Sequence, residues 1–290
     1  MPVQDLNQGG LYSARPDSPA SHCLLVVLVL FLLLSQLGEG WEMDSKPCHV
    51  VLGATGGIGS ELCRQLRASG ANVVAASRSS EKLRELAQTI DIRPVTLDAT
   101  DLEQVADCLA DARQTFGRVD GVANCVGSLV LKPAHLTSAA EWQTTLATNL
   151  TSAFAAVRAG AKTMLQTGGS IVLVSSSAAR VGLANHEAIA AAKAGIVGLT
   201  LAAAASYAER GIRVNCVAPG LVRTPLTARL IANEASLKAS AAMHPLGRIG
   251  EPSEVAAALA WLLDPKQSWI TGQVLGIDGG LATLRTRGKP

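Results

Sequence analysis

The chain has 290 residues, and 48% of them are hydrophobic, so it is long and apolar enough to bury a large core. Its net charge is only +2, it has no basic run, and its three phenylalanines and two tyrosines offer little for base stacking, so we expect no nucleic-acid partner. The six cysteines form no CxxC pair and none has a histidine at a metal-ligand spacing, so the sequence predicts buried free thiols and no metal site.

Residues 1–42 stand apart because of an unbroken apolar run at 24–34. This run of eleven is shorter than the roughly 18 residues of a membrane-spanning helix and falls within the roughly 7 to 15 of a secretory signal. Asp5 and Asp17 outweigh the single arginine ahead of it, whereas a signal peptide favours positive charge there. Three interpretations stay open: a signal sequence, an anchor that contacts a membrane, or a translation start at Met43. We expect a cytoplasmic protein with the Met43 start, and a secretory-pathway or membrane-associated one otherwise.

From residue 43 onward, short apolar runs alternate with helical periodicity. The predicted strands cover residues 48–52, 72–77, 95–97, 119–125, 170–175, 213–217 and 274–277. The helices predicted between them include a long one through Trp142 and Phe154 and an alanine-rich one at 186–210. Such alternation implies parallel strands joined by right-handed crossovers. We therefore predict an α/β fold with a Rossmann-type doubly wound parallel sheet, in a single domain that spans 43–290.

The first strand is followed by a glycine-rich turn that opens a helix. It reads Gly53-Ala54-Thr55-Gly56-Gly57-Ile58-Gly59. Glycine lets the backbone approach a pyrophosphate closely, and the helix N-terminus presents free N–H groups to it. The turn therefore predicts a dinucleotide site whose contacts include Gly53, Thr55, Gly57, Ile58 and Gly59. The alternative is a tight strand-to-helix turn that binds no ligand.

The end of the second strand indicates which dinucleotide is bound. A site selective for NAD usually has Asp or Glu there, to hold the ribose hydroxyls. This chain has Ser77 followed by Arg78, whose guanidinium suits a 2′-phosphate. We therefore expect NADP as the cofactor in preference to NAD, with a solvated surface arginine as the alternative interpretation of Arg78.

These residues, with others along the chain from Cys48 to about Leu281, resemble the short-chain dehydrogenase/reductase family. Gly53, Gly57 and Gly59 match its TGxxxGxG turn, although Leu52 replaces the threonine. The resemblance implies further cofactor contacts from Asp98 at the adenine, from Asn124 and Gly127 at a supporting strand end, and from Pro219, Gly220 and Thr224 near the nicotinamide amide.

The resemblance also implies a catalytic set. Asn149 matches the helix asparagine that holds a proton-relay water, and Ser176 matches the catalytic serine. Lys193 matches the catalytic lysine, which also binds the cofactor ribose. From the residues alone, Ser176 could instead satisfy backbone at a strand end, and Lys193 could face solvent.

One position departs from the family pattern. The family's reaction centre is Tyr-x-x-x-Lys, but Ile189 stands four residues before Lys193, and Ser176 lies at the family's usual interval of thirteen residues before Ile189. Isoleucine has no proton to give to a carbonyl oxygen that gains negative charge. His186, seven residues before Lys193 at the tyrosine position of the family's enoyl-reducing branch, is the candidate donor. It could instead be a helix-start histidine bonded to nearby backbone.

The sequence therefore predicts an NADP-dependent oxidoreductase that reduces a carbonyl or an activated, enoyl-type double bond of a small molecule. The alternative is a non-catalytic NADP-binding sensor or scaffold that has lost the catalytic tyrosine. The resemblance also implies a homodimer or homotetramer, formed in the family by the helices that match residues 144–164 and 188–208. A tightly packed monomer would explain the many alanines of these helices equally well.

Overall fold

A single sheet of seven parallel strands forms the centre of the part of the chain that the structure, a computed structural model, describes: residues 46–285. The strands are β1 Cys48–Leu52, β2 Asn72–Ser77, β3 Arg93–Thr96, β4 Gly121–Asn124, β5 Gly169–Val174, β6 Ile212–Pro219 and β7 Val274–Ile277. Their order, β3-β2-β1-β4-β5-β6-β7, reverses its winding direction between β1 and β4. The predicted Rossmann-type doubly wound sheet is confirmed. The apolar run at 24–34 and the Met43 start lie outside the described residues.

Helices cover both faces of this sheet. Those within the described residues are α1 Gly57–Ala68, α2 Ser80–Thr89, α3 Leu102–Phe116, α4 Ala139–Leu146, α5 Ser152–Met164, α6 Glu187–Tyr207, α7 Glu234–Ala242 and α8 Pro252–Leu263. α1 packs against α8, and α3 packs against α5. Two apolar cores result, one around Leu62 and Leu259 and the other around Leu109 and Met164. Burial on both faces explains why the central strands are continuous apolar runs.

The helix predicted through Trp142 and Phe154 needs correction. It is not one α-helix, because a π-helical turn, Ala147–Thr151, joins α4 to α5. Such turns often occur at functional sites, and this one contains Asn149, which is fully buried. The π-helical turn therefore determines the orientation of Asn149, a predicted site residue, in the protein interior.

The helix predicted at 186–210 is shorter than expected. α6 begins at Glu187, since His186 has the non-helical angles φ −110° and ψ 12°, and a 3₁₀ turn, Ala208–Arg210, follows its last residue. The segment Glu187–Arg210 is long and apolar enough to cross a membrane by length and composition. However, α6 packs against β5 and β6 and buries Ile196 and Ala203. The packing of α6 in the core explains its apolar composition.

The prediction of buried free thiols holds for most of the described cysteines. Cys63, Cys108 and Cys216 are buried free thiols, Cys48 is buried as well, and Cys125 is a free thiol that is only partly buried. Cys23 lies outside the described residues.

His49 is a buried histidine in β1, at the edge of the sheet opposite the glycine turn. Only 4% of its surface is exposed, and its Nδ1 atom has no hydrogen-bond partner among residues 46–285. Burial lowers the pKa of His49 to about 4, against an opposing effect of the nearby Asp120 carboxylate. The folded protein therefore holds this imidazole neutral at a pH where the unfolded chain protonates it.

Replacing His49 by leucine should remove an acid-dependent loss of stability. The unfolded chain binds this proton near pH 6.5 and the folded chain binds it only near pH 4, so wild-type stability falls as pH drops through that window. The loss amounts to about 3 kcal/mol. Urea unfolding between pH 7 and pH 4 measures it, with His135→Leu, an exposed histidine, as the matched control. Equal pH slopes for wild type and His49→Leu would contradict this account.

Candidate active site

The turn at residues 53–59 is packed so closely that side chains are excluded from three of its positions. A Cβ atom on Gly53, whose φ is +76°, would lie 2.8 Å from the carbonyl carbon of Cys125 at the end of β4. A Cβ on Gly57 would lie 2.9 Å from Cγ2 of Thr224, and one on Gly59 would overlap the carbonyl oxygen of Gly53. Glycine is required here because most of these neighbours are backbone, which cannot move aside.

The same turn leaves backbone donors free at the start of α1. Gly53 and Ala54 donate their N–H groups to the carbonyl of Ala76, and Gly56 donates to that of Gly53. The N–H groups of residues 57–59 find no acceptor within the described chain, and the first turn of α1 carries no acidic side chain. A helix start of this kind attracts an anion such as a pyrophosphate.

Thr55 and Ser77 fasten the glycine turn to the end of β2. Their hydroxyl oxygens are 2.7 Å apart, and Ser77 Oγ also accepts the N–H of Ser79 at 3.2 Å. Ser77 is buried, whereas the neighbouring Arg78 is exposed and makes no ion pair with a described residue. The guanidinium is therefore free to meet an anion beside the turn.

Asp98 and Asn124 hold backbone at the ends of their strands. Asp98 Oδ1 accepts both the N–H and the hydroxyl of Thr100, each at 2.9 Å. Asn124 donates to Ser152 Oγ at 3.1 Å and accepts the N–H of Val126 at 3.2 Å. The Asn124 amide therefore makes both of these hydrogen bonds within the protein, and its bond to Val126 holds the loop that follows β4.

Asn149 reaches the same loop from the π-helical turn. Its amide donates to Ser128 Oγ and to the carbonyl of Thr145, both at 2.9 Å, and its Oδ1 accepts the N–H of Ser128 at 3.2 Å. A Cβ atom on Gly127 would lie 3.3 Å from Asn149 Oδ1 and 3.7 Å from Lys193 Nζ. Asn149, Gly127 and Lys193 are therefore neighbours, as the family resemblance implies.

Lys193 is a buried cation at the centre of the site. Only 7% of its surface is exposed, which rules out the solvent-facing alternative, and its Nζ donates to the carbonyl of Val174 at 2.8 Å. Burial lowers its pKa to about 8, while the nearby thiols of Cys216 and Cys125 oppose the shift. The hydroxyl of Ser175 donates to the Lys193 carbonyl at 2.7 Å and so ties α6 to the end of β5.

Ser176 comes directly after Ser175 at the end of β5, and its hydroxyl oxygen accepts the N–H of Ala178 at 3.1 Å. This contact matches the strand-end interpretation of Ser176, but it leaves the hydroxyl proton free to donate. The next residue, Ser177, donates to Asp278 Oδ2 at 2.8 Å, which anchors the segment to the loop after β7. Ser176 therefore presents a donor from a rigid backbone.

His186 and Ile189 stand at the start of α6 and line the same cavity as Lys193. Nδ1 of His186 lies 2.7 Å from the carbonyl oxygen of Ala184. A carbonyl only accepts, so this nitrogen carries the proton and Nε2 is the atom left to exchange one. This hydrogen bond to Ala184 is the backbone contact that the alternative interpretation of His186 expects. It also orients the imidazole ring.

A cavity of about 570 Å³ brings most of the predicted site residues together at the carboxyl edge of the sheet. Predicted residues that line it are Gly57, Ile58, Gly59, Gly127, Asn149, Ser176, His186, Lys193, Pro219, Gly220 and Thr224. The remaining ones, which do not line it, are Gly53, Thr55, Ser77, Arg78, Asp98 and Asn124. The cavity is the crevice expected where a doubly wound sheet reverses its winding.

Several residues that form the outer wall of the cavity were missed from the sequence. Leu129, Leu131, Leu183 and Leu281 contribute aliphatic surface from irregular loops, where no periodicity marks a functional position. Leu226, Leu230 and His244 also line the cavity. Lys193 is the only Lys, Arg, Asp or Glu among the lining residues of the described chain.

The residues present fit a nicotinamide dinucleotide. Free N–H groups at the start of α1 suit its pyrophosphate, and a buried ammonium beside Gly127 suits a ribose hydroxyl. The wall next to Ser176 and His186 includes the aliphatic side chains of Leu129, Leu131 and Leu183. Within the described residues no cluster of His, Cys, Asp and Glu could hold a metal ion.

Comparisons with known proteins agree with this geometry. The family model described as "Enoyl-(Acyl carrier protein) reductase" matches residues 53–282. The chain is 35% identical over 248 residues to a 3-oxoacyl-[acyl-carrier-protein] reductase of Thermotoga maritima, covering 83% of this chain and 99% of that protein. It is 38% identical over 241 residues to 3β-hydroxysteroid dehydrogenase 1 of Eggerthella lenta, covering 80% of this chain and 92% of the relative.

Solved structures show the same fold. ElxO with NADP bound superimposes with a TM-score of 0.78 at 28% identity, covering 82% of this chain and all of that one. A variant of actinorhodin polyketide ketoreductase with NADPH gives a TM-score of 0.79 at 30% identity, covering 83% and 99% of the two chains.

Gly59→Ala should destabilise the protein and Gly56→Ala should not. The methyl group at position 59 would overlap the carbonyl oxygen of Gly53, whereas at position 56 it would lie 3.4 Å from that atom. Overpacking against fixed backbone costs about 1–3 kcal/mol. Thermal unfolding of both variants tests this directly. A Gly59→Ala protein as stable as Gly56→Ala would mean that the turn is looser than described.

Proposed function

The chain is a member of the short-chain dehydrogenase/reductase family, and from that premise we propose that it is an NADP-dependent oxidoreductase that reduces a carbonyl or an activated, enoyl-type double bond. The observation that carries the proposal is a single cavity that joins the free N–H groups of α1 to Ser176 and Lys193. The cavity wall beyond Ser176 is aliphatic, which favours an apolar substrate.

The preference for NADP rests on Arg78. It is exposed, without an ion-pair partner in the described chain, and adjacent to the hydroxyl contact that fastens the glycine turn. A guanidinium in that place pairs bidentately with a 2′-phosphate, and no carboxylate follows β2 to repel it. The NADP and NADPH in the superimposed relatives support the same preference.

Ser176 and Lys193 bind different reactants in this proposal. The free hydroxyl proton of Ser176 can donate to a substrate oxygen, and the Lys193 ammonium can hold the cofactor ribose. The reduced nicotinamide supplies the hydride when it is bound. As the substrate carbon accepts it, an electron pair moves to the carbonyl oxygen, which then needs a proton.

His186 is our candidate for that proton. In the family a phenol gives it, but Ile189 is buried in the tyrosine position and has none to give. The carbonyl of Ala184 fixes Nδ1–H of His186, so a proton gained by the ring sits on Nε2. For an enoyl-type substrate the same charge develops at a conjugated oxygen, so one donor would serve both reactions.

We also propose that the protein forms a homodimer or homotetramer. Phe154 on α5 and Leu201 on α6 are 47% and 53% exposed, on the two helices expected to pair. Apolar side chains of this size exposed on adjacent helices favour a symmetric contact between copies.

The role of residues 1–42 remains a separate proposal, with the same three interpretations as before. Fractionating cells that express the full chain beside cells that express a Met43 start distinguishes an anchor from a dispensable extension.

Arg78→Ala should weaken NADPH binding about tenfold and leave NADH binding unchanged. The change removes one charge-assisted contact to the 2′-phosphate, which is absent from NADH. Titration with each cofactor, followed by nicotinamide fluorescence, measures both affinities. Arg84→Ala, an exposed arginine on α2, is the matched control. A loss of the same size for NADH would show that Arg78 does not select the phosphate.

Turnover with NADPH and a panel of apolar ketones and enoyl thioesters tests the proposed reaction. His186→Ala should lower kcat by about 10² to 10⁴-fold, the usual contribution of a general acid, with little change in cofactor affinity. Ile189→Tyr should restore a phenol donor and make the His186→Ala change nearly silent. Unaltered turnover in His186→Ala would show that His186 is not the proton donor. Tight NADPH binding without turnover on any substrate would favour the sensor or scaffold alternative.

A further inference from the structure

We propose that His244 is a positioning residue that fixes the outer helix of the cavity, α7, to the segment at Gly220 and Leu221. The proposal concerns the same site and rests on the proposed function. It adds a mechanical link between the part of the cavity that faces the substrate and the part assigned to the cofactor.

The first observation is that α7 has no core-facing side. It contributes Ser236, Ala239 and Ser240 to the wall of the cavity, yet none of its residues is buried. An amphipathic helix is normally held by a fully buried apolar face, whereas Leu237 and Ala241 of α7 are only partly buried. Its start is held by Asn233, whose side chain accepts the N–H of Ser236 at 2.9 Å. Its other end needs an anchor of a different kind.

His244 provides that anchor, two residues after the helix ends. The ring is only 2% exposed. Its Nδ1 lies 2.8 Å from the carbonyl of Ser240 in the last turn of α7, and its Nε2 accepts the N–H of Leu221 at 3.1 Å. A carbonyl only accepts, so Nδ1 carries the proton and Nε2 is the acceptor. Both ring nitrogens are thus used, one on the helix and one on the segment after β6.

Gly220 is shaped for this contact. A Cβ atom there would lie 2.7 Å from Nε2 of His244 and 3.1 Å from the Cα of Asp278. The ring can therefore approach the backbone only because residue 220 is glycine. His244 also separates the main cavity from a second one of about 200 Å³ behind Leu221, so the ring forms part of a wall between them.

One imidazole therefore connects the helix over the substrate to residues that adjoin the cofactor. Any shift of Gly220 and Leu221 when the cofactor binds is transmitted to α7 through His244, and the reverse holds as well. The variants that separate the two contacts are His244→Leu, which loses both, and His244→Gln, whose side-chain oxygen can replace the Nε2 acceptor. His244→Asn can keep the donor to Ser240 but loses the acceptor for Leu221.

The test uses amide hydrogen exchange and NADPH titration on the full chain. Without cofactor, the Leu221 amide should exchange at least tenfold faster in His244→Leu and His244→Asn than in wild type, and His244→Gln should stay close to wild type. With NADPH, exchange across α7 should slow in wild type only, because His244→Gln loses the donor to Ser240 and the other two variants lose the acceptor for Leu221. NADPH should bind about tenfold more weakly to the two variants that lack the acceptor. His135→Leu is the control for loss of a histidine.

Wild-type exchange at Leu221 in folded His244→Asn would overturn the proposal, as would cofactor-dependent slowing of α7 that survives in that variant. If the Leu221 amide exchanged as fast in His244→Gln as in His244→Asn, the ring would act through its shape and the proposed bond from Leu221 would be wrong. Absence of NADPH binding by wild type would defeat the proposed function, while the exchange of Leu221 without cofactor would still decide the role of His244.

Discussion

The close approach of the β1–α1 turn to the end of β4 is the contact on which the site depends. Gly53 lets the turn lie against the backbone of Cys125, and Gly59 lets α1 start directly over it. Because they begin α1, the N–H groups of residues 57–59 have no intrahelical acceptor, and they find no other acceptor among residues 46–285. Thr224 lies beside Gly57, where a Cβ atom would be 2.9 Å from its Cγ2. A side chain at Gly53 or Gly59 would clash with this backbone and push the β1–α1 turn away from the end of β4.

The second constraint is a cation held in an apolar interior. Lys193 is kept in place by the carbonyl of Val174 and by the bond from Ser175 to its own carbonyl, and burial brings its pKa to about 8. In the family such a lysine works beside a phenol. In our proposal Ile189 occupies that place, so the cavity keeps its apolar lining and lacks its usual acid. The proposed site therefore combines a nicotinamide-dinucleotide site with an altered proton supply.

Much of this arrangement was predictable from the residues. Strand periodicity located all seven strands in the described residues, and the glycine spacing located the turn between β1 and α1, because both are local patterns. The π-helical turn was not predictable, since it is stabilised by contacts of Asn149 with the distant Ser128. Leu183 and His244 were missed for a similar reason: they lie outside regular elements, and only the folded chain brings them to the cavity. The chemical roles of the site residues remain predictions.

The most direct test of the account is a crystal structure of the full chain with NADPH. The account predicts the pyrophosphate on the N–H groups of residues 57–59, the 2′-phosphate near Arg78 and the ribose on Lys193. It further predicts that His186 Nε2 and the Ser176 hydroxyl face the space beside C4 of the nicotinamide. A pyrophosphate bound elsewhere, or a nicotinamide C4 faced only by Ile189 and the aliphatic wall, would contradict the central claim.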